Sequence, residues 1–147
     1  MEQVKKITIA AFSQAEDDLR DWGCYYIVAI PPSNAETTNA PCEAVCAALA
    51  DHFDWLTYLP GALKRVTTVP KSATAGKEGR PRTTYEEHVN SIRYVGPSIV
   101  ARNQSIIMVD DVLTLGATSQ ACRTILTQAT GCKQVLGFFI GRTREQY

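Results

Sequence analysis

The chain has 147 residues, the length of one domain and enough to bury a core without disulfide staples. Hydrophobic residues make up 45% and charged residues 20%, the balance of a soluble globular protein and not of a disordered chain. Fifteen Lys and Arg offset fifteen Asp and Glu, so holding nucleic acid through a global positive field is excluded, while a local phosphate site built from backbone amides is not.

The chain opens with two lysines and a short apolar stretch, residues 7–12, that contains Thr8 and runs into acidic residues. That stretch is too short and too polar for a secretory core segment, and no apolar run approaches a membrane span, so a cytoplasmic protein is expected. The start of the chain, residues 1–18, then reads as a first strand or helix of the single domain spanning 1–147. The five cysteines, Cys24, Cys42, Cys46, Cys122 and Cys132, show no C-x-x-C spacing. They read as small buried hydrophobes in a reducing compartment, with no structural metal.

Residues 25–30 (YYIVAI) form a continuous apolar run stopped by Pro31 and Pro32, a buried strand. A helix follows from Asn39 as N-cap, with Pro41 in its first turn and Val45, Ala48, Leu49 and His52 on one face. Residues 55–59 and 63–66 are short strand candidates on either side of a Pro60-Gly61 turn. Residues 67–84 then lack any Leu, Ile or Phe and carry two prolines, two glycines and five threonines. Lys71, Lys77, Arg80 and Arg82 against a single Glu78 leave this stretch a formal charge of +3. A loop this long in a compact domain works as a lid or is disordered, and a mobile loop is expected here. Residues 85–91 read as a short helix or turn, 92–95 as a brief strand before Gly96-Pro97, and 106–109 (IIMV) as a second buried strand. A helix over 118–130 carries Ala121, Cys122, Ile125, Leu126 and Ala129 on one stripe and ends at Gly131. Residues 135–140 (VLGFFI) form the last strand. Continuous apolar strands alternating with helices predict an α/β fold, a mostly parallel central sheet flanked by helices.

The chemistry lies in residues 106–118, IIMVDDVLTLGAT. A buried strand ends in Asp110 and Asp111, and a short loop with Thr114, Gly116 and Thr118 leads into a helix. In an open parallel sheet, ligands bind off the carboxyl ends of the strands. Two adjacent carboxylates suit vicinal hydroxyls such as those of a ribose. The loop offers successive amides and hydroxyls at a helix N-terminus, which suits one phosphate, and Gly116 lets the backbone come close. A sugar phosphate would bridge the two halves. No G-x-x-x-x-G-K-[ST] is present, so a nucleoside-triphosphate P-loop is not supported.

This stretch closely resembles the type I phosphoribosyltransferases, which bind 5-phosphoribosyl-1-pyrophosphate. The resemblance implies that Asp110 and Asp111 take the ribose and that Thr114, Leu115, Gly116, Ala117 and Thr118 take the 5-phosphate. Leu115 stands where the family often has a small residue or Thr, so a hydroxyl contact is missing there. The resemblance further implies a pyrophosphate-binding segment after the first core strand, here residues 31–39 with Pro32, Ser33 and Asn34, assisted by Lys64 and Arg65. It also implies a catalytic loop over 67–84, with Lys71, Lys77, Arg80 and Arg82 brought to the pyrophosphate. Residues 62–73, a later Arg and the acidic motif look most like the phosphoribosyltransferase-like part of bacterial competence proteins, from about Cys24 to the end. The cysteine-rich zinc module usual in those proteins has no counterpart here.

The implied activity is transfer of the phosphoribosyl group to a nitrogen acceptor with release of pyrophosphate, with Mg2+ held mainly through the substrate and the protein acting as a homodimer. The acceptor is unassigned. Residues 1–24 would supply a small hood over it, helped by Arg142 and Tyr147, with Phe12, Trp22 and Tyr147 as stacking candidates. The alternative is a non-catalytic phosphoribosyl pyrophosphate or nucleotide-binding regulator, or an interaction module. Direct binding of nucleic acid is not expected.

Overall fold

The computed structural model describes residues 1–70, 77–99, 101–113 and 116–142. Among the described residues, six strands and five helices follow in the order α1 (Glu2–Gln14), α2 (Glu16–Asp21), β1 (Cys24–Ala29), α3 (Ala40–His52), β2 (Thr57–Tyr58), β3 (Leu63–Arg65), α4 (Tyr85–Ser91), β4 (Ile92–Tyr94), β5 (Ser105–Leu113), α5 (Ala117–Thr130) and β6 (Gln134–Arg142). Four strands form a parallel sheet in the order β2-β1-β5-β6, and β3 and β4 make a separate antiparallel pair. The expected α/β class, a mostly parallel sheet with helices on its faces, is what the chain builds.

The sheet has two covered faces because its central strands are apolar on both sides. Ile27, Ala29, Ile107 and Val109 point to one face, where Cys42, Val45, Cys46 and Leu49 of α3 and Phe12 of α1 meet them. Val28, Ile30, Ile106 and Met108 point to the other, against Cys122 and Leu126 of α5 and Leu63 and Ile92 of the small sheet. All five cysteines are buried and free, as small hydrophobes in these two cores. Burial pushes the Cys24 thiol up to about 11 and the Cys42 thiol up to about 12, so both are inert as nucleophiles.

The N-terminal segment takes the helical one of its two sequence readings: α1 and α2 lie on the α3 face, Phe12 edge-on to Phe138, and Trp55 Nε1 donates to Glu16 across 2.8 Å. Several other elements differ from their sequence reading. Phe12 is core and so presents no ring for stacking, whereas Trp22 is 47% exposed. The two short strands read on either side of Pro60-Gly61 both form, but in different sheets. β2 joins the main sheet beside β1, while β3 turns away to pair with β4. Asn39 sits at the N-cap of α3, but its amide donates to Ile30 O at 3.0 Å and leaves the helix amides uncapped. On α3, Val45 and Leu49 are buried together with Cys42 and Cys46, whereas Ala48 is half-buried and His52 is exposed. On α5, Ser119 and Thr130 join the buried stripe and Ala129 is exposed.

β5 also runs past Val109. Its ladder with β6 continues through Asp110↔Phe139 to Leu113↔Arg142, whereas its ladder with β1 stops at Ala29↔Val109. The top of the sheet is therefore stepped. The acids are held by a strand on one side and open on the other. Among the described residues, no helix is long and apolar enough to cross a membrane.

Candidate active site

The connections explain where the site opens. From β1 the chain passes through α3 to β2 on one side; from β5 it passes through α5 to β6 on the other. α3 and α5 lie on opposite faces, so the loops leaving β1 and β5 part from each other. In open parallel sheets such a topological switch point leaves a crevice off the carboxyl ends of the two strands.

Asp110 and Asp111 stand at that crevice. Asp110 Oδ1 accepts the Asp111 amide at 2.8 Å, and Asp111 is exposed. Burial, with Asp111 beside it, pushes the Asp110 carboxyl up to about 7. Burial raises the Cys122 thiol of α5 and the Cys42 thiol of α3; the Asp110 charge adds to both and Asp111 to Cys42.

On the β1 side, a cleft of about 310 Å³ lies between residues 31–39 and 61–65, lined by Pro32, Thr37, Asn39, Glu43, Lys64 and Arg65 among others. The 13-residue α3 begins here with no side-chain cap on its first amides. Arg65 is 3% exposed. Its Nε donates to Pro32 O at 3.0 Å, and its Nη1 donates to Ser91 Oγ at 2.6 Å and His88 Nδ1 at 3.2 Å. No carboxylate neutralises Arg65 among the described residues, and burial lowers its pKa. A buried cation without a counter-ion is costly, and an anionic ligand in the cleft removes that cost.

Of the other residues expected at the pyrophosphate, Lys64 is exposed at the cleft rim, and Pro32 contributes its carbonyl to Arg65. Ser33 and Asn34 do not line the cleft. Asn34 Oδ1 accepts the Glu36 amide at 2.9 Å and the Thr68 hydroxyl at 3.4 Å, and Ser33 O accepts the Val69 amide at 2.9 Å. These two residues fasten the start of the 67–84 loop to the segment after β1.

On the β5 side, Gly116 is the N-cap of α5 with φ +81°, a left-handed conformation that favours glycine. Ala117 and Thr118 open the helix. Thr118 Oγ1 lies 3.1 Å from His88 Nε2. Thr114 and Leu115 lie outside the described residues, as do Lys71 and Tyr147. Of the remaining loop cations, Lys77 and Arg82 are exposed, and Arg80 is half-buried in an ion pair with Glu78. The two ends of the loop are joined by Thr83, buried, whose hydroxyl donates to Pro70 O at 3.0 Å.

His88 and Ser91 were not singled out in the sequence. The signal that finds them is the capping box of α4: Thr84 accepts from the Glu87 amide and Glu87 from the Thr84 amide. Fixing Thr84 as N-cap puts His88 and Ser91, three apart, on one face of the helix.

This architecture is the fold of the type I phosphoribosyltransferases. A hypoxanthine phosphoribosyltransferase of Staphylococcus aureus superposes with a TM-score of 0.57 at 11% identity, covering 99% of this chain and 76% of that one. A mutant hypoxanthine phosphoribosyltransferase of Trypanosoma cruzi, in a ternary complex with substrates, superposes with a TM-score of 0.55 at 9% identity, covering 99% and 80%. No protein-family model and no curated protein sequence matches the chain.

Proposed function

We propose that the protein binds 5-phosphoribosyl-1-pyrophosphate at the switch-point crevice and transfers the phosphoribosyl group to a nitrogen acceptor, releasing pyrophosphate. The observation that carries this reading is Arg65, buried with no carboxylate paired to it among the described residues, beside a cleft whose neighbouring strand β5 carries Asp110 and Asp111. A ligand with a polyanion at one end and hydroxyls at the other satisfies both. The similarity of fold to the hypoxanthine phosphoribosyltransferases supports the same reading. So does the resemblance of residues 106–118 to the motif of the phosphoribosyltransferases.

In this reading Asp110 and Asp111 accept the ribose hydroxyls. Gly116, Ala117 and Thr118, with Thr114 and Leu115, take the 5-phosphate through amides and hydroxyls at the α5 N-terminus. Arg65, Lys64 and the uncapped amides of α3 take the pyrophosphate. The C1–O bond breaks with its electron pair leaving on pyrophosphate, and the acceptor nitrogen forms the new bond at C1 with its lone pair and gives up its proton to the released pyrophosphate or to water. Positive charge develops on the ribose in the transition state, and the two carboxylates oppose it. Lys77, Arg80 and Arg82, with Lys71, supply cations to the leaving group and exclude water.

Among the described residues no cluster of three or more His, Cys, Asp or Glu offers a metal cage. Two hard carboxylates at the rim nonetheless fit Mg2+, which keeps several waters and is held largely by substrate phosphates. When bound it supplies charge neutralisation for the pyrophosphate.

The test is release of pyrophosphate from the donor with Mg2+ across a panel of purine, pyrimidine and amine acceptors. Acceptor-dependent release supports the transferase. Donor binding with no release under any acceptor points instead to a regulator using the same crevice.

A further inference from the structure

We infer that His88 is a positioning residue that sets both anion sites at once, holding Arg65 for the pyrophosphate through one ring nitrogen and Thr118 for the 5-phosphate through the other. The inference rests on the reading above and extends it to a residue outside the crevice lining.

The donor pattern fixes the tautomer. Arg65 Nη1 has only protons to give, so His88 Nδ1, 3.2 Å away, is the acceptor. Nε2 then carries the ring proton and donates to Thr118 Oγ1 at 3.1 Å. That occupies a lone pair of the Thr118 hydroxyl and frees its proton to donate. No acceptor among the described residues takes that proton, and Thr118 stands in the first turn of α5. Its hydroxyl is thus turned into a donor where a phosphate would sit. At the other end, Arg65 is held by Pro32 O, Ser91 Oγ and His88 Nδ1, and Nη2 has no partner among the described residues.

The ring is kept in this state by its surroundings. His88 is 3% exposed, and burial together with the Arg65 charge pushes its pKa down to about 4. It is neutral at neutral pH, which the single-tautomer bridge requires. α4 is held against α5 by a second bond, Tyr85 Oη to Thr124 Oγ1 at 2.8 Å, so the bridge does not hang on His88 alone.

Two conservative variants divide the bridge. His88→Asn places Oδ1 near the Nδ1 position, where it accepts from Arg65, but falls short of Thr118. His88→Gln places Nε2 near the imidazole Nε2, where it donates to Thr118, but gives Arg65 no acceptor at Nδ1. Calorimetry with two probes, inorganic pyrophosphate with Mg2+ and ribose 5-phosphate, reads the two sites separately. The expected result is a crossover. Asn weakens ribose 5-phosphate about tenfold and leaves pyrophosphate within about twofold, Gln does the reverse, and His88→Ala loses both. Equal losses of both probes in Asn and Gln, or no change in either, overturn the positioning role while the binding reading stands. A parent protein that binds neither probe overturns the binding reading, and the positioning role falls with it. Should a variant fail to fold, ¹⁵N NMR of the imidazole in the unmodified, unliganded protein decides: the Nε2–H tautomer agrees, and an Nδ1–H tautomer contradicts.

Discussion

Asp110 and His88 pull stability in opposite directions with pH. The folded Asp110 carboxyl is raised to about 7, so the folded state holds a proton the unfolded chain has lost, and stability falls as pH rises from about 4 to 7. The folded His88 is lowered to about 4, so below pH 6.5 the unfolded chain takes a proton the folded state refuses, and stability falls as pH drops toward 4. The two effects offset one another across the weakly acidic range. Asp110→Asn keeps the acceptor for the Asp111 amide and removes the first effect. The variant should nearly match the parent at pH 4 and exceed it by up to about 4 kcal/mol at pH 8. Urea denaturation at the two pH values measures this, and a variant less stable than the parent at pH 8 would show that the ionised carboxyl is not under strain. The destabilised carboxylate is what a binding site would retain at a cost in stability.

At the scale of elements, α4 is only seven residues long and depends on its ends. Thr84→Ala removes one half of the capping box and should cost about 1 kcal/mol. Because α4 carries His88 and Ser91, the loss should appear as faster hydrogen exchange in residues 85–91 and as weaker pyrophosphate binding through Arg65. Unchanged exchange there would mean that packing on α5, not the cap, holds the helix. In α1, Phe12→Ala removes a ring packed on Phe53 and Phe138 and should cost about 3–5 kcal/mol, read from the denaturation midpoint. A loss under 1 kcal/mol would make α1 a dispensable cover.

These elements also show what was legible in the sequence. β1, β5, β6, α3 and α5 follow from unbroken apolar runs, a helical stripe and Gly131, because burial on both faces leaves a strong local pattern. The extra length of β5 was not legible. Asp110 and Asp111 interrupt the apolar run, and only the ladder with β6 carries the strand through them. The split of β2 from β3 was hidden for the same reason, since both are short and their partners are far away in sequence. At the site, the two acids and Gly116 could be read from a contiguous motif. Arg65 was legible only as one of two adjacent cations; its burial and its bridge to His88 arise from tertiary contacts between β3, α4 and α5.

At the scale of the whole molecule, the two halves β1-α3-β2 and β5-α5-β6 meet at one crevice, and the 67–84 loop is tied at both ends near it. Replacing Lys77, Arg80 and Arg82 by Ala should leave ribose 5-phosphate affinity within about twofold, because that ligand carries no pyrophosphate, while cutting pyrophosphate release at least tenfold. Equal turnover in the triple variant would make the loop a connector with no chemical part.

The most direct test is calorimetric titration of 5-phosphoribosyl-1-pyrophosphate with Mg2+ into the parent protein and into Asp110→Asn/Asp111→Asn, with folding of both checked by circular dichroism. Asn matches Asp in size and keeps an acceptor for the Asp111 amide, so the double variant should fold; the parent should bind one donor per chain and the variant at least a hundredfold more weakly. No binding by the parent, or equal affinity in the folded double variant, would contradict the assignment of this crevice.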